Sequence, residues 1–176
     1  MKNKYLIWVV ALIWVVVLAG IYLQHERIVT KGEIITLKTI PVDPRDPFKG
    51  DNVKLLYDIS NIRQPLTDAE KTELMKTNRI FAVLKPVEHY WVLDHFTTKR
   101  PWGTTYIQGW VWGEISDFMR VQYNIESFYV PEGRGLEVES HQGNDLFVEV
   151  YVDEKGSASI RTLLIGTKPY TFEEGK

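Results

Sequence analysis

No cysteine occurs anywhere in the 176 residues, which excludes disulfides, thiol catalysis, zinc-thiolate sites and the cysteine that a lipoprotein anchor requires. Oxidising and reducing compartments are equally tolerated. An excess of one charge sign is missing too: 21 basic side chains stand against 23 acidic ones, with no basic stripe of the kind that binds nucleic acid. His25, His89, His95 and His141 are scattered without metal spacing, and no calcium-loop spacing occurs, so neither a metal nor any other cofactor is expected.

What is present is an ordinary globular balance, 44% hydrophobic and 25% charged, preceded by a segment of another kind. From Tyr5 to Leu23 the chain runs nineteen residues without a charge. As a helix that run spans about 28 Å, the thickness of a bilayer's hydrocarbon core. Lys2 and Lys4 precede it, whereas Gln24, His25, Glu26 and Arg27 beyond it nearly cancel. The positive-inside bias therefore predicts a single-pass protein of the cell membrane, its N-terminus cytoplasmic and the rest extracytoplasmic. Tyr5 and Tyr22 mark the two interfaces. Val17-Leu18-Ala19 also fits a signal-peptide cleavage site, but the length of the run favours a retained anchor.

Beyond the anchor the pattern is β. Glu33 to Ile40 reads as a strand that stops at Pro41, and Pro41, Pro44 and Pro47 then stiffen a connector. Asn52 to Ile59 alternates, with Val53, Leu55, Tyr57 and Ile59 on one face. Thr67-Asp68-Ala69-Glu70 is a capping box that opens a short helix to about Thr77, with Leu74 and Met75 as its apolar pair. Ile80 to Leu84, Tyr90 to Phe96 and Thr104 to Trp112 read as strands separated by Lys85-Pro86 and Lys99-Arg100-Pro101. Phe118 to Tyr129, Asp145 to Val152 and Ser157 to Ile165 supply more, with Asp153-Glu154-Lys155-Gly156 as a hairpin turn.

A repeat runs through these strands. Leu55-Leu56-Tyr57-Asp58-Ile59 parallels Val121-Gln122-Tyr123-Asn124-Ile125 sixty-six residues on, and the same offset lays Phe81-Ala82-Val83-Leu84 over Phe147-Val148-Glu149-Val150. The expected fold is mainly β: a transmembrane helix, then a duplicated antiparallel barrel or sandwich with one or two short helices. Residues 1–27 form the tip and anchor, 28–103 the first repeat with its helix near 67–77, and 104–176 the second.

The segment Gly50-Asp51-Asn52-Val53-Lys54-Leu55-Leu56-Tyr57 resembles the signature of the GDYXXLXY family of bacterial membrane-anchored proteins, matching at Gly50, Asp51, Leu55 and Tyr57 and departing at Asn52, where the family name has tyrosine. Pro41-Val42-Asp43-Pro44-Arg45-Asp46 and Val130-Pro131-Glu132-Gly133 are similar to family features as well. The resemblance implies a single-span protein beside a multi-pass membrane partner, without a reaction attached.

The expected ligand- or partner-binding residues are Asp43, Arg45, Asp46, Asp51, Tyr57, Tyr129 and Glu132. Carboxylates beside a guanidinium orient cationic groups, and Tyr129 to Gly135 combines an aromatic ring, a carboxylate and flexible glycines. The bland alternative for both is a connector and a loop with solvated acids. Tyr106, Gln108, Trp110 and Trp112 share one strand face, either core or a docking surface, and Lys99-Arg100-Pro101-Trp102 suits a loop touching lipid headgroups. No catalytic residue is expected. No serine precedes Ser60, so the nucleophile that signal-peptidase chemistry needs after its anchor is absent. The functional expectation is an accessory module for an integral-membrane partner. The alternatives are a binding domain for a small polar ligand or glycan and, more remotely, a hydrolase pairing Asp51 with Glu132.

Overall fold

The computed structural model describes residues 2–41, 52–62, 65–112 and 119–171. Helix α1 (Lys2–Lys31) carries the uncharged run, and every side chain from Ile7 to Leu23 is exposed. By length and composition it suffices to cross a membrane.

The chain then enters β1 (Glu33–Lys38), β2 (Asn52–Lys54), β3 (Asn61–Ile62), α2 (Asp68–Thr77), β4 (Arg79–Val87) and β5 (Tyr90–Thr97). It continues through β6 (Tyr106–Val111), β7 (Met119–Gln122), β8 (Ser127–Tyr129), α3 (Gly135–His141), β9 (Leu146–Val152), β10 (Ala158–Ile165) and β11 (Lys168–Pro169). Nine strands form a mixed sheet in the order β11-β10-β9-β1-β5-β4-β6-β7-β3, and β2 pairs with β8 beside it. The Gln108 N–H of β6 donates to the Gly156 carbonyl just before β10, at 2.8 Å. The six long strands therefore curl around one core. One junction, β1 with β5 at Leu37 and Trp91, is parallel, where only antiparallel pairing was expected.

The 66-residue offset is written into the hydrogen-bond register. Lys54 pairs with Ser127 and Val53 with Phe128; the equivalent pairs, Arg120 with Asn61 and Met119 with Ile62, are both present. β1 lies on β9 with Leu37 opposite Val148, as β6 lies on β4 with Ile107 opposite Ala82; Ala82 and Val148 keep the 66-residue offset, whereas Ile107 follows Leu37 by 70. Each half is thus a β-β-β-α-β-β unit, and the two are related by an approximate two-fold axis.

Two tyrosines lie across that axis. Tyr57 donates its hydroxyl to the Ile125 carbonyl at 2.6 Å, and Tyr123 donates to the Ile59 carbonyl at 2.5 Å. Each follows the strand after which the chain turns: the Tyr57 N–H is received by Ser60 Oγ and the Tyr123 N–H by the Glu126 carboxylate. Burial first, and the Glu126 carboxylate second, push both phenols well above the ordinary tyrosine value, so they remain donors at any ordinary pH. Around them Leu55, Ile59, Ile80, Ile107, Val121, Ile125 and Val148 are buried. Full burial of each such side chain contributes about 1.5–3 kcal/mol.

Local chemistry sets the element boundaries. Thr67 Oγ1 accepts from the Glu70 N–H while Glu70 Oε2 accepts from the Thr67 N–H, the expected capping box, and Asn78 closes α2 in a left-handed conformation. Leu74 is buried but Met75 is exposed, because neighbouring helix positions point about 100° apart. Lys85-Pro86 does not end β4, which runs on to Val87. Pro86 is paired with β5 there, and β6 has already left the other edge at Tyr106, so the missing N–H deprives no ladder. The segment expected as strand from Phe118 to Tyr129 divides into β7 and β8 around the Tyr123 turn; Phe118 itself lies outside the described residues. In β6 the side facing the main core is Ile107, Gly109 and Val111; of the Tyr106, Gln108, Trp110 and Trp112 face, Tyr106 is buried against Phe81 and Val83 in a second small cluster, Gln108 and Trp110 are half-buried and Trp112 is exposed.

Gly109 is needed for space. A Cβ there would collide with Val121 Cγ1 and lie 2.9 Å from the Tyr123 ring. Gly109→Ala should destabilise the full-length protein in detergent by about 1–3 kcal/mol in urea unfolding. Tyr57→Phe and Tyr123→Phe, which each strand a buried carbonyl, should separately cost about 1–3 kcal/mol. Loss of less than about 0.5 kcal/mol in both would show that the hydroxyls do not hold the halves together.

Candidate functional site

The expected binding residues separate into three groups. Asp43, Arg45, Asp46 and Asp51 lie outside the described residues, and with them the pairing of Asp51 with Glu132. Tyr57 has 0% exposure and its hydroxyl is committed to Ile125, so it presents no surface to a ligand or partner. Tyr129 and Glu132 are exposed on one continuous segment.

That segment is built from β8 outward. Opposite β2, Phe128 packs against the core while Ser127 and Tyr129 face out, with Tyr129 across from Asn52. The Lys54 ammonium donates to Ser127 Oγ at 2.9 Å across the same ladder. Asn52, which stands where the resemblance expects tyrosine, buries its side-chain oxygen without a hydrogen-bond donor among the described residues. Val130 then turns inward, and Pro131, Glu132 and Gly133 form a turn closed by the Arg134 N–H on the Pro131 carbonyl at 3.0 Å.

α3 follows at once. Leu136 and Val138 are two positions apart, about 200° around a helix, so they cannot both face the core. Val138 is buried, and Leu136 is left 81% exposed, as Tyr129 seven residues earlier is at 77%. Gln142, one of the few buried polar residues, fixes the helix to the ribbon by donating from Nε2 to the Lys54 carbonyl at 2.6 Å. The sequence reading missed Leu136 and Gln142. The spacing of Leu136 and Val138 is the signal that would have found the first; nothing local marks the second.

On the other flank of β8 a cleft of about 490 Å³ opens between Asn124, Ile125 and Ser127–Tyr129 on one side and Ala158–Ile160 of β10 on the other. Its lining offers the Asn124 amide, the Ser127 and Ser159 hydroxyls and the Tyr129 phenol, with no carboxylate, imidazole or amine among the described residues. Such a surface hydrogen-bonds a neutral polar group. Among the described residues no group of histidines and acids is placed to hold a metal ion.

Charge at the site is concentrated on Arg134 and Glu137, 2.7 Å apart. A hydrogen bond from Tyr170 first, with the Arg134 guanidinium assisting, holds the Glu137 carboxyl below the usual carboxylate range. The folded value being lowered, this contact contributes stability above the unfolded carboxyl value and loses it as pH falls through the folded one. An NMR titration should place the Glu137 midpoint below that of an ordinary glutamate, and Tyr170→Phe should move it up. An unchanged midpoint in the variant would remove Tyr170 as the cause.

No curated protein and no solved structure matches the chain. The family model described as GDYXXLXY protein matches residues 14–163, most of the chain, including β2, β8, α3 and the cleft residues of β10. The chain belongs to the GDYXXLXY family.

Proposed function

We propose that this protein is a membrane-anchored accessory module, in which α1 crosses the membrane, the β domain stands on the extracytoplasmic side, and the surface around β8 and α3 engages an integral-membrane partner. The observation that carries this reading is the exposure of Tyr129 and Leu136 on either side of Glu132, on a segment made rigid by the buried Val130, Val138 and Gln142. Large apolar side chains left in water on a preorganised frame are the usual anchors of a protein interface, and the adjoining charge gives register. Tethering by α1 raises the effective concentration of such a surface near a partner in the same membrane. The charge asymmetry about the uncharged run, with Lys2 and Lys4 before it, supports the orientation.

A second reading, a binding domain for a small polar ligand or a glycan, is favoured by the hydroxyl- and amide-lined cleft beside β8. Both uses fit one surface, because Tyr129 borders the cleft and the ribbon alike.

Full-length protein extracted from its own membrane in mild detergent should bring down a multi-pass protein. The triple variant Tyr129→Ser, Glu132→Gln, Leu136→Ser should lose at least about nine-tenths of it, the equivalent of 1.4 kcal/mol or more. All three positions are exposed, so the variant's melting temperature should match the parent's. Recovery of both proteins without any companion would sink the accessory reading; binding of a soluble saccharide or small polar compound lost in the variant would establish the second.

A further inference from the structure

The membrane helix joins the β domain through a single residue. α1 ends at Lys31 and β1 begins at Glu33, with the Gly32 N–H still bonded to the Ile28 carbonyl at 3.0 Å. Ile28 is buried, and the last turns of α1 lie against β9 and β10. A Cβ on Gly32 would collide with the Ile28 carbonyl and lie 3.1 Å from the Val152 nitrogen, so the chain passes here with no room to spare. No flexible linker separates helix from domain, and the domain takes a set orientation relative to the helix axis.

The approximate two-fold axis that relates β1 to β6 puts the beginnings of both strands at the same end of the domain. Where the first half receives α1, the second receives the loop of residues 98–105. The two are in direct contact: Thr105 Oγ1 donates to Glu33 Oε2 at 2.8 Å. The loop is held firmly. Arg100 donates from Nε to the Tyr106 hydroxyl at 2.7 Å and from Nη2 to the Glu154 carbonyl at 2.8 Å, and the Tyr106 hydroxyl donates to that same carbonyl at 2.8 Å. Beyond Pro101 the backbone projects a side chain that touches almost nothing: Trp102 is 90% exposed, followed by Gly103 at φ +72°. Lys99, also exposed, flanks it.

An indole is the largest apolar group a protein has, with one N–H donor at its edge; fully in water it is unfavourable, and at the level of lipid headgroups both parts are satisfied. α1 continues eight residues past the uncharged run, about 12 Å. The headgroup layer on one side of a bilayer is about 5–8 Å deep. The junction therefore stands about 4–7 Å beyond that layer, and the helix tilt of about 20° common to membrane helices brings one side of this end of the domain closer to it.

We propose that the loop of residues 98–105 is a second membrane contact, with the Trp102 indole inserted among the headgroups of the bilayer that α1 crosses and Lys99 beside the phosphates. The occupant is the lipid surface itself. This rests on the reading of α1 as an anchor, and on the continuity of Trp102 with the point where that anchor leaves the bilayer.

Because the chain has no cysteine, single labels report single places. Trp14→Cys in α1, Trp102→Cys and Trp112→Cys, each exposed in the parent, are labelled with an environment-sensitive fluorophore in the full-length protein. Each is reconstituted into phosphatidylcholine/phosphatidylglycerol vesicles containing lipids spin-labelled at the headgroup or deep in the acyl chain. The label at 14 should be quenched most by the deep spin label. The label at 102 should be quenched by the headgroup label at least about threefold more than the label at 112. Quenching at 14 with equal, weak quenching at 102 and 112 overturns the loop contact while leaving the anchor intact. Absence of quenching at 14 overturns the anchor, and the loop contact with it.

Discussion

Two buried phenols, each handing its proton to a main-chain carbonyl in the opposite half of the molecule, are the constraint on which the rest of the β domain depends. Tyr57 reaches Ile125, and Tyr123 reaches Ile59. A buried carbonyl at a chain reversal has no ladder partner, and one left unsatisfied costs about 1–3 kcal/mol. The two halves meet that need for one another. Because the donor sits on one half and the acceptor on the other, each bond is made only when both halves are folded and in register. The strand pairs that flank the tyrosines, Lys54 with Ser127 and Arg120 with Asn61, are set by the same symmetry.

Much of this was legible before any coordinates. The alternation of Val53, Leu55, Tyr57 and Ile59 marks a buried face, and all four are buried. The 66-residue offset pointed to a duplication because hydrophobic pattern and turn position recur together, and a capping box is a purely local device that tertiary context did not override. Other features were illegible for definite reasons. Pro86 would break a strand only if a neighbour stood on the edge that its missing N–H faces, and the departure of β6 from that edge is a tertiary fact. The face of β6 that meets the main core could not be assigned from alternation, which gives two faces without saying which is inside. Gln142 holds the ribbon to α3 across 88 residues of sequence, so no window contains both partners.

For the site the division is sharper. Tyr57, a signature residue, is spoken for by the core, and Tyr129 and Glu132 lie on an exposed, well-supported turn. The family-like segments therefore include a position that holds the fold together, Tyr57, and one that borders its surface, Glu132. The side of β8 facing β2 and α3 carries apolar exposure and charge; the side facing β10 carries hydroxyls and an amide. Two kinds of contact are thus offered within one short strand.

The reciprocity of the tyrosine pair also says what one half would lack. One half alone would bury a carbonyl with no donor and hold a phenol with no acceptor, yet two copies of that half would satisfy each other by making one bond twice. The two halves of the present chain stand in that self-complementary relation, with the segment around Trp102 running between them. That joining segment takes the place before the second half that α1 holds before the first, and it connects the two without entering the pair of bonds that makes them complementary.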